Sequence, residues 1–412
     1  MLEESAWHRT ADKPVSDAGP PANGMPNEGS LLYVATVSST IGTFLTPYAV
    51  HLRALGWRVD AAASGATQDP RLRGSFDQLH ELLLSRSIHD VAGMQRSARE
   101  LARIIRETRP DIVHAHTPIA AMMSRLAIRR LPPAERPQVA YTAHGFHFHR
   151  HGHPVTNALF LLAERVAGRW TDRLVVINDE DQQAARKHRI VSPARLVRMP
   201  GIGLDTRSYW APRVLPPSED VRREAAVPSG VALFVCVGEL NRNKRQADAV
   251  EALAAMQTRQ AYLVLIGEGR QRADIEGLAR RRHVADRVRL AGFVEDVRPL
   301  VGAATALLAT SKREGLNRSI MEALALEVPV IATTARGNRE LVDDAGVVVD
   351  VGDSGAMAAA MDWLVGHPDE RRAMGLRGRA RMVERYDLEL VVEHHVSMYR
   401  EMLGDRTRRN AR

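Results

Sequence analysis

Two successive series of short apolar runs, each run separated from the next by a stretch of helical pattern, constrain this chain more than any other feature. In the first series the runs are 31–37, 59–63, 111–114, 139–142, 174–177 and 196–199; in the second they are 231–237, 262–266, 288–290, 306–309, 330–332 and 347–349. β-branched runs of this length, alternating with helix-like intervals, are the pattern of a parallel, doubly wound α/β sheet. Between the two series lies a charged stretch bracketed by Pro212, Pro216, Pro217 and Pro228, which reads as a linker over 211–229. The predicted fold class is therefore α/β, with two facing Rossmann-like domains over 30–210 and 230–387, a size division that suits 412 residues. Ligands of open α/β sheets sit at the carboxyl ends of the strands, so two facing sheets place the expected site in a cleft between them. Residues 1–29, rich in Pro, Gly, Asp and Asn and without periodicity, are expected to form a disordered leader, and 388–412 a helix that packs back on the first domain and ends in a mobile tail.

Composition removes several classes of function. Apolar residues make up 45% and charged residues 26%, and no run approaches the roughly 18 uninterrupted apolar residues of a membrane span. Glu3, Glu4 and Asp12 stand where a secretory signal needs basic and apolar residues, so a cytoplasmic location is expected. The single cysteine, Cys236, excludes an internal disulfide and reads as core packing. A net charge of +8 invites a nucleic-acid reading, yet the excess is dispersed and aromatics reach only 5%, so no nucleic acid is expected as a partner. One basic stripe stands out: Arg96, Arg99, Arg103 and Arg106 recur at helical spacing opposite Met94, Leu101, Ile104 and Ile105. It is either a solvated helix face or a peripheral contact with anionic headgroups at the inner face of the cell membrane.

The segment from Thr310 to Pro329 carries the most chemistry. A strand ends near Thr310, and a helix starts around Asn317, a good N-cap, with Ile320, Met321 and Leu324 as its buried face. The backbone amides of Gly315, Leu316 and Asn317 then emerge from a helix N-terminus, a ready site for a diphosphate. Glu314 precedes the helix and Glu322 lies just over one turn inside it, and two carboxylates suit the vicinal hydroxyls of ribose and hexose.

The string Glu314-Gly-Leu-Asn-Arg-Ser-Ile-Met-Glu322, followed by Pro329-Val-Ile-Ala-Thr and Gly337-Asn-Arg-Glu340, resembles the two-glutamate region of glycosyltransferase family 4, a retaining family with the GT-B fold. Val237-Gly-Glu-Leu-Asn-Arg-Asn-Lys244, Leu265-Ile-Gly-Glu-Gly-Arg270 and Val288-Arg-Leu-Ala-Gly-Phe-Val294 are similar to family segments, as are Pro110–His116 and Tyr141–His147, so the resemblance spans 31 to about 402. The opening Val37-Ser-Ser-Thr-Ile and Arg318-Ser-Ile-Met resemble the branch that builds capsular and extracellular polysaccharide and oligosaccharides on undecaprenyl carriers. The resemblance implies transfer of a hexosyl or N-acetylhexosaminyl unit from a UDP-sugar to a glycan or undecaprenyl-linked acceptor, with no metal or other cofactor. It implies that Glu322 binds the ribose, that Glu314 with Gly315 and Leu316 holds the hexose, and that Lys244, with Arg242 or Arg318, neutralises the diphosphate. Phe293 and Val294 bracket the uracil, and Gly238, Asn317 and Gly42, the last in a loop after the first strand, line the donor. His144 is the implied catalytic residue of the first domain, with His116 and His147 on the acceptor side.

One departure is plain: Glu239 stands where many family members carry an arginine, and a carboxylate cannot stabilise a departing diphosphate. Two metal-like patterns read otherwise. Asp179-Glu-Asp181 opens a helix after Asn178, where acids complement the dipole, and the alternating His144, His147, His149, His151 and His153 lack a completing ligand and read as an acceptor-facing loop. A UDP-sugar epimerase of the same fold, and a degenerate transferase that only binds, are the alternatives; turnover of donor without acceptor, and loss of donor turnover, separate them from a transferase.

Overall fold

The computed structural model describes residues 28–84, 90–148, 152–209 and 218–410. The expected leader up to residue 27, the prolines at 212, 216 and 217, and His149 and His151 lie outside the described residues. The chain divides into two compact units, one formed by 28–202 with 389–410 and one by Gly203–Leu388.

The first unit holds a seven-stranded parallel sheet in the order β3-β2-β1-β4-β5-β6-β7. Its strands are β1 (Gly29–Val37), β2 (Trp57–Ser64), β3 (Gln78–Glu81), β4 (Ile112–Ala115), β5 (Gln138–Ala143), β6 (Arg173–Val176) and β7 (Leu196–Arg198). The second unit holds a six-stranded parallel sheet in the order β10-β9-β8-β11-β12-β13. These strands are β8 (Ala232–Val237), β9 (Ala261–Ile266), β10 (Val288–Gly292), β11 (Ala306–Ala309), β12 (Val330–Thr333) and β13 (Gly346–Val349). Each of the twelve apolar runs corresponds to one strand. The additional strand, β3, is Gln-Leu-His-Glu at a sheet edge and has no apolar run to announce it.

Helices cover both faces of each sheet, so the central strands are apolar along their whole length rather than alternating. Leu31 to Ala35 of β1 and Leu233 to Val235 of β8 have almost no exposed surface. Each such Leu, Val or Phe contributes roughly 1.5–3 kcal/mol relative to exposure. Cys236 is buried in the same layer, its Sγ 4.0 Å from the Thr310 hydroxyl, and burial pushes its thiol up to about 11. The Leu388–Asn410 helix supplies Val391, His395 and Tyr399 to the interior of the first unit, where the Tyr399 hydroxyl meets those of Tyr33 (3.2 Å) and the Nδ1 of His114 (2.6 Å). Among the described residues no helix is long and apolar enough to cross a membrane.

The sheet orders put each topological switch between adjacent strands: β1 and β4 in the first unit, β8 and β11 in the second. From β8 the chain moves outward to β9, and from β11 it moves the other way to β12. The loops leaving the carboxyl ends of such a pair diverge and leave a crevice, the usual ligand position in this architecture.

Candidate active site

In the second unit the crevice is bounded by the loop after β8, which leads into the Gln246–Ala255 helix, and the loop after β11, which leads into the Arg318–Ala325 helix. The first loop is built around Asn241. Its Oδ1 accepts the backbone N–H groups of Asn243 (3.0 Å) and Lys244 (2.9 Å), and its Nδ2 donates to Glu239 Oε2 (3.0 Å). Asn side chains that accept from the following backbone amides form turns without help from the sheet, which fixes where the lysine leaves the chain. Glu239 thus restrains the turn that carries Lys244, a role the resemblance had not suggested. Gly238 has φ +147°, and a Cβ there would lie 3.2 Å from Lys244 Cε.

The two loops are stitched together. The Thr310 hydroxyl donates to the Lys244 carbonyl (2.5 Å), Lys312 N–H to the Asn243 carbonyl (2.8 Å), and Asn243 Nδ2 to the Arg313 carbonyl (2.9 Å). Across this seam Lys244 Nζ donates to Glu314 Oε1 at 2.8 Å, with both side chains largely covered. A charge-assisted bond in a half-buried crevice is stronger than a surface pair, and it presents a cation and a carboxylate side by side.

The helix that follows begins as its sequence requires. Asn317 caps it, its Oδ1 accepting Ser319 N–H (3.2 Å) and the Ser319 hydroxyl (2.8 Å), and Ile320, Met321 and Leu324 are buried. Leu316 packs partly against the same core, which also contains Val294. Glu322 shows 10% of its side chain to solvent, and its Oε1 accepts from Arg318 Nε (2.9 Å) and from the Tyr209 hydroxyl (2.9 Å). Tyr209 was not foreseen, because it is remote in sequence from every motif. Its ring lies beneath the Arg298 guanidinium at 5.8 Å, and burial together with the neighbouring Glu322 carboxylate pushes its pKa up from the ordinary value, so the hydroxyl stays a donor.

Gly337, which opens the short helix after β12, has φ +76°, and a Cβ there would fall 2.3 Å from the Gly315 carbonyl oxygen. Only glycine allows the two backbones this close, so Gly337 sets where the Gly315 end of the crevice lies. Gly337→Ala is expected to lower stability by about 1–2 kcal/mol from the left-handed backbone alone, and to displace Gly315. Thermal melts check this; a Gly337→Ala protein that melts as the wild type does would show that the close approach carries no such cost.

The remaining predicted residues fall in distinct places. Arg242 is exposed in the loop after β8. Phe293 (65% exposed) and the buried Val294 follow Gly292 at the end of the edge strand β10. In the first unit His116 follows β4, and its Nδ1 lies 3.3 Å from Nε2 of His144, which follows β5 and stacks near Phe44. Burial holds the His144 imidazole down to about 4, so it is neutral at pH 7. His147 is exposed, 5.2 Å from the Phe160 ring. The expectation for Gly42 is corrected: it sits inside the Ser38–Phe44 helix, which starts directly after β1, with no intervening loop and no positive φ. Of the metal-like strings, Asn178 caps the Asp179–Lys187 helix by accepting Asp181 N–H (2.8 Å), which leaves Asp181 buried as a structural carboxylate.

The model described as "Glycosyltransferase Family 4" matches residues 41–202, and that described as "Glycosyl transferases group 1" matches 232–367. EpsD of Bacillus subtilis (strain 168), a protein named as a glycosyltransferase, is 33% identical over 379 residues, covering 90% of this chain and 96% of its own. An Escherichia coli UDP-Gal:alpha-D-GlcNAc-diphosphoundecaprenol alpha-1,3-galactosyltransferase is 24% identical, covering 66% and 70%. Among solved structures, Anabaena HepE in complex with UDP-glucose superposes with a TM-score of 0.73 at 18% identity, covering 90% of this chain and 99% of that one, a likeness of fold. With both halves matched in order and a relative aligned end to end, the chain belongs to glycosyltransferase family 4 and is an enzyme of the GT-B fold.

Proposed function

We propose that this glycosyltransferase moves a hexosyl or N-acetylhexosaminyl unit from a UDP-sugar to a hydroxyl of an undecaprenyl-linked glycan, with retention of configuration, at the cytoplasmic face of the membrane during surface-polysaccharide synthesis. The observation that carries the reading is the Lys244–Glu314 bridge across the β8/β11 crevice, beside a capped helix N-terminus and the buried Glu322. The relative named for UDP-Gal and a diphosphoundecaprenol substrate, and the neighbour solved with UDP-glucose, support the donor and acceptor classes. UDP-hexoses are α-linked, and the alpha linkage in the relative's name supports retention.

In this reading Glu322 accepts from the ribose hydroxyls, while Glu314 and the amides of Gly315 and Leu316 hold the hexose. Asn317 keeps the helix N-terminus in place. Lys244, Arg242 and Arg318 face the diphosphate, and Gly238, Phe293 and Val294 border the nucleoside. His144 serves the transferred sugar, and His116 and His147 the acceptor. The bond from C1 to the phosphate oxygen breaks, the acceptor oxygen bonds C1 on the same face, and the acceptor proton leaves on the departing phosphate. Negative charge grows on that phosphate, so cations placed there contribute most of the rate. They are proposed to do so without a divalent metal, which activity in the presence of a chelator checks.

The test is UDP release by the purified protein with a panel of UDP-sugars and undecaprenyl-linked acceptors, with the anomer of the product read by NMR. Lys244→Ala is expected to lower kcat by roughly 10²–10³-fold while UDP-sugar affinity changes less, because its charge matters most in the transition state. Absence of UDP release with every donor, or interconversion of UDP-sugars without acceptor, would overturn the reading.

A further inference from the structure

The Pro154–Gly168 helix differs from the other helices that flank the first sheet. Its sequence is apolar, yet only Ala167 and Gly168 are fully buried, and Phe160 and Leu161 are the large residues that pack inward. Val155 (63% exposed), Leu159 (63%), Leu162 (59%) and Val166 (38%) recur at helical spacing and form a continuous apolar stripe facing solvent. Scattered exposed apolar residues need no explanation, but four in one stripe on one helix are a covered face in waiting.

The stripe borders a basic hollow. Leu162 and Val166 line an open depression of about 830 Å³ together with Arg165, Arg169, Arg186, Arg189 and Arg195, and no acidic side chain lines it. The helix's own acid, Glu164, is turned inward within 3.3 Å of the Tyr141 hydroxyl. By contrast, on the Val91–Thr108 helix singled out by its arginine stripe, the apolar face is buried in the core, and Arg103 is held by both Glu100 and Glu107 at 2.6 Å.

We propose that the Pro154–Gly168 stripe and its arginine hollow form a docking face for an anionic lipid bilayer: the stripe enters the headgroup–acyl boundary and the arginines take lipid phosphates. Charge complementarity selects this occupant. A second copy docking through the same patch would place five arginines of one chain against five of the other. An anionic leaflet instead supplies the opposite charge at the depth where the arginines sit, and Arg pairs with phosphate in bidentate fashion. The inference does not depend on the donor assignment.

The experiment is co-sedimentation of the full chain with vesicles of phosphatidylcholine alone or with roughly one-third phosphatidylglycerol. Binding is expected only to the anionic vesicles and to weaken as salt rises. Leu159→Gln with Leu162→Gln is expected to lower the partition coefficient about tenfold or more, and Arg186→Glu with Arg189→Glu to remove the salt-dependent part. All four side chains are outside the donor crevice, so UDP affinity and melting temperature should stay at wild-type values and confirm folded protein. No sedimentation with anionic vesicles, or sedimentation that neither double variant changes, overturns the proposal. So does light scattering that shows a dimer dissolved by the leucine variants, since a second copy would then cover the face.

Discussion

Glu322→Ala is expected to weaken UDP binding by roughly 10–100-fold, about 1.5–3 kcal/mol, the range for removing a charged acceptor from a largely buried network. Two losses combine. The ribose hydroxyls lose the carboxylate proposed to accept them, and the two donors now converging on Oε1, Arg318 Nε and the Tyr209 hydroxyl, lose theirs. The variants separate the contributions. Tyr209→Phe removes one donor and leaves the carboxylate, so about 1 kcal/mol or less is expected. Glu322→Gln keeps the volume and one acceptor oxygen but no charge, and should fall between the two. Calorimetric titration with UDP, with melts to show that each variant is folded, gives the ranking; a Glu322→Ala protein that binds UDP as the wild type does would remove Glu322 from the donor site.

The legibility of this site follows from which contacts are local. Asn317, Ile320, Met321 and Leu324 belong to one helix start, so their relation is written in spacing alone, and the structure finds cap and buried face where the pattern puts them; the Arg318–Glu322 ion pair is added by the structure. Lys244 and Glu314 lie 70 positions apart, and only the resemblance joined them; the 2.8 Å bridge now does so physically. Tyr209 had no signal, since it lies 113 positions from Glu322 and a single side chain has no period to betray its partner. The error at Gly42 has a similar origin: a glycine after a strand suggests a turn, but here the strand passes directly into a helix. Strands were readable because buried parallel strands are uniformly apolar, and β3 was not, because an edge strand needs only its backbone partner. The histidines show the limit most clearly. Alternation along 144–153 drew attention to neighbours in sequence, whereas the imidazoles that actually meet come from β4, the loops after β4 and β5, and the last helix.

That meeting leads to the largest expected effect on stability. His114, His116, His144 and His395 form a chain of rings in the first unit, with centroid separations of 4.2 Å (His114–His116), 5.5 Å (His116–His144) and 6.1 Å (His114–His395). His114 is satisfied as a neutral ring by the Tyr399 and Thr142 hydroxyls, and His395 Nδ1 by the Val391 carbonyl, while His116 Nε2 is buried without a hydrogen-bond partner. Burial lowers all four, His144 and His395 to about 4 and His114 and His116 well below the ordinary value of 6.5. The unfolded chain therefore takes up protons below about pH 6.5 that the folded unit refuses, so stability is fully present above that pH and is lost as pH falls toward 4. His395, which is 4% exposed, accounts for about 3 kcal/mol of that loss, and His114 and His116 act in the same direction; His144 keeps part of its surface in solvent and contributes less. The His395 contribution alone is a large fraction of the roughly 5–15 kcal/mol that holds an ordinary domain folded. The Gly203–Leu388 unit carries only His283 and His367, both exposed, and so has no buried imidazole. Acid should consequently separate the two units, the first unfolding while the second still binds UDP, so that the melt changes from one transition to two between pH 6.5 and 4.5. Replacing His395 with glutamine, which cannot be protonated, should flatten the pH dependence by close to one proton. A pH-independent melt across that window, or a His395→Gln slope equal to the wild-type slope, would show that the stack is not what limits the fold in acid.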